Sequence, residues 1–124
     1  MEKFLDYVRD RQLVLQQRIQ IGDVTAADLM LSANILDREK ISQWNILAMH
    51  AELSELLEWT NWKIHKKERV IYDDERIAEI HIELIDLLHY WMNLCIIWNL
   101  SPQEIVRIFK EKNDENNNRQ NRGY

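Results

Sequence analysis

Apolar positions recur along this chain at helical spacing. Phe4, Leu5, Val8, Leu15 and Ile19 share one side of residues 3–20, which predicts an amphipathic helix ending near Gly22. Asp23 or Thr25 can cap a short helix from about Thr25 to Leu36, which leads into a longer one from about Asp37 to Trp59. After a polar, basic stretch from Lys63 to Arg69, Asp73 or Asp74 caps a helix of about 25 residues reaching Asn99. Ser101-Pro102-Gln103-Glu104 has the N-cap serine, first-turn proline and N3 glutamate of a capping box, so a last helix starts there and runs to about Glu115. Residues 116–124 form a polar tail.

Two pairs of acids interrupt the apolar pattern. Glu52 and Glu55 share a face of the third helix, about 60° apart, and Trp59 lies between them one turn on. On the later helix Glu79, Glu83, Asp86, Tyr90 and Asn93 form a stripe opposite Ile77, Leu84, Leu88, Trp91 and Cys95. An acid stripe can simply face water. From Leu84 to Leu100, however, the helix is apolar nearly all round, which marks burial on most sides. A carboxylate among Leu, Ile and Trp must protonate, find a cation or ligate a metal. One divalent-cation site shared by two helices satisfies Glu52, Glu55, Glu83 and Asp86 together, and oxygen-only ligands suit Mg²⁺, with Mn²⁺ as substitute. Such sites serve phosphoryl chemistry.

Composition narrows the fold further. Two glycines and one proline in 124 residues favour helices over sheets with their many turns, so the chain reads as an all-α bundle of four to five helices in one domain, residues 1–124. The lone Cys95 lies in an apolar run, which predicts a core thiol in a reducing compartment. The opening Met1-Glu2-Lys3 lacks the form of a signal peptide, and the Leu84–Leu100 run carries Asp86, His89 and two asparagines, too polar for a membrane span. A cytoplasmic protein without a membrane partner is expected. The net charge of −5 argues against nucleic-acid polymers, whose binding rests on Lys and Arg. His81 and His89, eight residues apart, are poorly spaced for joint ligation and read as structural. Trp59 and Trp62, just after the first acid pair, are placed to stack on a base. Lys63, Lys66, Lys67 and Arg69 follow that helix, and Lys110, Lys112, Arg119 and Arg122 lie near the chain's end.

These motifs resemble a known family, the all-α nucleoside triphosphate pyrophosphatases, and within it the dimeric dUTPases. Glu52-Leu-Ser-Glu55 and Glu83-Leu-Ile-Asp86 look like its paired E-x-x-E and E-x-x-D magnesium motifs. Asp86-Leu-Leu-His89-Tyr90 resembles the D-x-x-H-F continuation, and Trp62-Lys63-Ile64-His65 resembles the F-K-[YW]-W segment with its final tryptophan replaced. Lys112, Asn116, Arg119-Gln120 and Gly123-Tyr124 match K-x-x-x-N-x-x-R-Q-x-x-G-Y at every spacing. Asp86 and Lys112 are only 26 residues apart, where dimeric dUTPases insert several helices, so in size the chain looks more like the MazG-type branch.

The resemblance implies a Mg²⁺-dependent deoxynucleoside triphosphate pyrophosphohydrolase, first of all one converting dUTP to dUMP and pyrophosphate. It implies Glu55 as the residue positioning or activating water. Lys63, Lys112, Asn116 and Arg119 would hold phosphates, Gln12 would lie near the base, Asn93 would contact sugar or base, and residues 116–124, ending in Tyr124, would close over substrate. A homodimer is expected, because helices apolar on several sides need more partners than so few elements provide. The alternatives are a pyrophosphatase acting on dCTP, dGTP or a broader set, and a non-catalytic helical interaction module.

Overall fold

The computed structural model describes residues 2–123; its regular structure is helical except for one small hairpin, and residues 59–73 form a non-helical connection. Its elements are α1 (Glu2–Gln16), β1 (Gln20–Ile21), β2 (Val24–Thr25), α2 (Ala26–Met30), α3 (Ile35–Glu58), α4 (Asp74–Ile97) and α5 (Pro102–Asn121). The all-α expectation holds. Tyr124, one of the expected substrate contacts, lies outside the described residues.

Three boundaries differ from the expectation, each for a local reason. The first helix stops at Gln16, because Gly22, at φ 64°, opens a two-residue turn that pairs Gln20 with Thr25 and Ile21 with Val24 in antiparallel register. Positive φ at the first turn position suits glycine and matches the right-handed twist of the flanking strands. The short helix ends at Met30 rather than Leu36. Thr25 caps its start through a reciprocal box with Asp28, and Asn34 caps a new start by accepting from the Leu36 amide at 2.9 Å. The third difference is at the far end, where residues 116–121 continue α5 instead of forming a tail. Polar side chains carry this extension: Glu115 accepts from Arg119 at 3.4 Å and from Arg122 at 3.1 Å, and Asn117 donates to Asn113 at 3.0 Å.

The Asp73 cap of α4 and the Ser101–Glu104 box of α5 form as expected. Between these helices Asn99 takes a left-handed conformation at φ 56°, which lets the chain turn within four residues.

The apolar core gathers at one end of the bundle, where Met30 and Ile41 meet Met92, Cys95, Ile96 and Ile97, flanked by Leu5, Val8, Leu13 and Ile21. Burial pushes the Cys95 thiol up to about 11, so it stays protonated as a core group. Elsewhere α3 and α4 pack along a polar seam. Arg38 donates to the Ile97 carbonyl at 2.8 Å, Trp98 to the Ser42 hydroxyl at 2.9 Å, Asn93 to Asn45 at 2.9 Å, and Arg76 to the Trp59 carbonyl at 3.0 Å. These pairings run in opposite chain directions, so the helices are antiparallel.

The seam decides which face of α4 is inside. Glu83 is buried and Cys95 ends the opposite stripe inside the core, whereas Ile77, Leu84 and Trp91 of that stripe are at least 37% exposed, so the helix is not buried on most sides as expected. By length and composition alone α4 could cross a membrane. Its inward line, with Glu83 and Asn93 buried, is the polar half of the packed seam.

Candidate functional site

The site is set by two antiparallel helices carrying acids at spacing three. On each helix that spacing keeps both carboxylates on one side, and antiparallel packing turns the two sides toward each other. One carboxylate oxygen from each of Glu52, Glu55 and Glu83 lies within 4.8 Å of the others. Glu83 is buried, Glu52 is half-buried and Glu55 is exposed at the rim. Asp86 stands one turn on from Glu83 and shares a cleft with Glu52.

Electrostatically this arrangement is unfavourable without a cation. Glu52 is pushed up to about 7, first because its contact with the Glu83 carboxyl requires a proton between them. Burial and repulsion from Glu55, Glu83 and Asp86 add to this. One oxygen each of Glu52 and Glu83 is buried without a hydrogen-bond partner, and among the described residues no lysine or arginine pairs with any of the four acids. Tyr90, one turn beyond Asp86, is raised as well, by burial and then by Glu52, Asp86 and Glu55. Three converging carboxylates, two of them with an orphaned buried oxygen, fit a hard divalent cation, which takes oxygen ligands and removes the repulsion.

Beside the acids lies a cleft of about 290 Å³, lined by Gln12, Gln16, Asn45, Glu52, Asp86, His89, Tyr90 and Asn93 with Leu15 and Ile19. Gln12, Gln16, Asn45 and Asn93 are all at most 7% exposed, while Phe4, Tyr7 and Val14 on the same first helix face outward. Thus α1 turns its glutamines inward and completes the cleft opposite the α3–α4 seam.

Of the residues expected to bind substrate, Gln12 and Asn93 meet the acids in this cleft. Trp59 ends α3, with the Arg76 guanidinium 5.0 Å above its ring, and lines a separate cavity with Arg69, Asp73 and Glu79. Trp62 and Lys63 line another cavity in the α3–α4 loop, where the Lys63 ammonium sits 5.2 Å from the Trp62 ring centre. Asn61 braces that loop by bonding both the amide and the carbonyl of Val70. Lys112, Asn116 and Arg119 lie on the second half of α5, outside the lining of the acid cleft. The apolar positions of α5 end at Phe109, so that half carries no apolar stripe to hold it against the bundle.

Sequence reasoning missed Gln16, Asn45 and Arg76. Gln16 was readable one turn after Gln12, and Asn45 two turns before Glu52 on the same face. Nothing local marks Arg76, whose partner is a main-chain carbonyl 17 residues away.

Comparison with known proteins places this geometry. A curated dCTP pyrophosphatase of Enterobacteria phage LZ5 is 41% identical over 71 residues, covering 53% of this chain and 41% of that protein. The dCTP pyrophosphatase of Enterobacteria phage T4 is 32% identical over 71 residues, covering 53% and 42%. The chain therefore matches about two fifths of the length of these curated relatives. No solved structure gives a significant match. The family model described as dUTPase matches residues 8–104, which take in Gln12, all four acids and Asn93 but stop short of Lys112. Since that match spans most of the chain and includes both acid-bearing helices, the protein belongs to the dUTPase family.

Proposed function

We propose that this protein is a Mg²⁺-dependent pyrophosphohydrolase of pyrimidine deoxynucleoside triphosphates, dCTP or dUTP, yielding the monophosphate and pyrophosphate. One observation carries the reading: three carboxylates converge within 4.8 Å, two of them with a buried unpartnered oxygen, at the edge of an amide-lined cleft. The family description favours dUTP and the names of the two phage relatives favour dCTP.

Glu52, Glu55, Glu83 and Asp86 would hold the metal. When bound, Mg²⁺ (or Mn²⁺) supplies charge neutralisation for the phosphates and a more acidic water. Glu55, exposed at the rim, is the carboxylate able to accept a proton from the attacking water. Gln12 and Asn93 face the base or sugar, whereas Trp59 and Trp62 line cavities of their own beyond the acids, with Arg76 and Lys63 over their rings, and are left out of the proposed base contacts. Lys63, Lys112, Asn116 and Arg119 are the proposed phosphate contacts, donors set to stabilise charge as it develops. Residues 116–121, although helical, keep their proposed role of closing over substrate.

Pyrophosphate release from each of the common deoxynucleoside triphosphates, with Mg²⁺ and with chelator, tests the reading. Turnover of dCTP or dUTP that chelator abolishes is expected. Preference for a purine would refute the pyrimidine assignment, and inactivity on every nucleotide would favour a non-catalytic interaction module.

A homodimer belongs to the same proposal. The outward stripe of α4 and an apolar groove lined by Phe4, Leu5, Trp91, Leu100, Val106 and Phe109 support it. Sedimentation is expected to give twice the 15.1 kDa chain mass, and Trp91→Glu to shift it toward monomer. A wild-type monomer at all concentrations would count against assembly.

A further inference from the structure

The amides of the cleft do not all have the same freedom. A side-chain amide has a donor end and an acceptor end, and nothing in the group itself decides which end faces a ligand. Asn45 donates its Nδ2 hydrogen to the main-chain carbonyl of Ile41 at 2.8 Å, and a carbonyl oxygen can only accept. The Asn45 Oδ1 is thereby turned to α4, where it accepts from Asn93 Nδ2 at 2.9 Å. Asn93 has directed its donor end at Asn45. Its Oδ1 is buried without a hydrogen-bond partner in a residue that is 2% exposed and lines the cleft. Reversing Asn93 would set its oxygen against the Asn45 oxygen, and reversing Asn45 would set its oxygen against the Ile41 carbonyl and its amide hydrogens against those of Asn93. An oxygen so placed stays uncompensated until a donor reaches it.

We propose that Asn45 and Asn93 form a one-way amide relay, anchored on the Ile41 carbonyl, which presents a fixed acceptor to the base and so selects cytosine over uracil. The inference rests on reading the cleft as the nucleotide site. The two pyrimidines differ where such an acceptor discriminates best: cytosine carries an exocyclic amine, a donor, at the position where uracil carries a carbonyl oxygen. Against Asn93 Oδ1 the amine completes a hydrogen bond, whereas the carbonyl leaves two desolvated acceptors facing each other. Uracil can offer its ring N–H only by sliding along its edge. Gln12 and Gln16, across the cleft on α1, have no anchor comparable to the Ile41 carbonyl among the described residues. They can turn their donor ends to the ring nitrogen and remaining carbonyl of cytosine. Asn93 is the residue that touches the base, and Asn45 is a positioning residue that acts through it.

The test measures binding of three monophosphates by titration calorimetry with Mg²⁺ present: dCMP, dUMP and the 2-pyrimidinone deoxynucleotide, which lacks the exocyclic group. Wild-type protein is expected to bind dCMP roughly tenfold or more tightly than either of the others, as a site built around a hydrogen bond rejects ligands that leave it unmade. In Asn45→Leu, where Asn93 is free to reverse, the ratio of dCMP to dUMP affinity is expected to fall to within about threefold of unity. Equal affinities in wild type, absence of binding by all three, or an unchanged ratio in an Asn45→Leu variant with wild-type helicity would each overturn the relay. Should Asn45→Leu fail to fold, the wild-type comparison of dCMP with 2-pyrimidinone decides, and a difference under about threefold overturns it. Monophosphates contain no phosphoanhydride, so dCMP preference without hydrolysis of any triphosphate upholds the relay and refutes the pyrophosphohydrolase reading.

Discussion

Replacing Glu55 with Gln is expected to slow pyrophosphate release by about 10²–10⁴-fold, the range for removing a positioned general base, while leaving the helical fold intact. The two halves of that outcome have separate physical causes. Glu55 is the exposed member of the carboxylate triad, so an uncharged side chain of the same shape leaves no buried group without a partner. It also relieves repulsion on Glu52, one of the groups that raise that carboxyl. What is lost is a proton acceptor at the mouth of the cleft and one negative ligand for a cation. The rate constant should therefore fall far more than the substrate concentration at half-maximal rate rises. Steady-state kinetics alongside far-UV circular dichroism check this. A folded Glu55→Gln variant within about fivefold of wild-type activity would remove Glu55 from the chemistry.

The metal-free protein is expected to lose stability as pH rises from about 4.5 to above 7, and Mg²⁺ to restore it. Glu52 carries the effect. Its carboxyl is raised from 4.5 to about 7 in the folded chain, so between those values the native state holds a proton that the unfolded state has released. Stability from this group is complete below the unfolded value and is lost as pH passes through the folded one. Glu55, Glu83, Asp86 and Tyr90 surround it from the two helices, with His89 and the α1 glutamines lining the adjoining cleft. With allowance for solvent around a half-buried group, the loss is on the order of 2 kcal/mol. Urea unfolding in chelator from pH 4.5 to 8 measures it. Glu52→Gln should flatten the profile, and saturating Mg²⁺ should stabilise wild type more at pH 8 than at pH 5, since binding the native state competes with protons there. Metal-free stability that is flat or rising across this window would contradict the assigned environment of Glu52.

Much of the architecture was legible because helix starts are local events. Asp73 and Ser101 each bond an amide three residues ahead, so a short window of sequence carries the signal. The hairpin after α1 was missed because two-residue strands have no periodicity to detect, and Gly22 reads equally as a helix stop or a turn. The length of α5 was underestimated for a related reason. Residues 116–121 have no apolar stripe, and their helicity rests on side-chain pairs such as Glu115 with Arg119 and Arg122.

The acids and amides of the cleft separate what sequence determines from what packing decides. Spacing alone places Glu52 with Glu55 and Glu83 with Asp86 on single faces, because the helical repeat is a property of one segment of backbone. A face does not state its partner. The apolar run of α4 predicted burial on most sides, but α4 turns Glu83 and Asn93 inward, buries the opposite stripe only at Cys95 and leaves Ile77, Leu84 and Trp91 at the surface. Likewise Asn45 and Asn93 are ordinary amides in the sequence, 48 residues apart. Their direction exists only once α3 and α4 lie antiparallel with a main-chain carbonyl at one end of the chain of hydrogen bonds, because an amide takes its polarity from its neighbour.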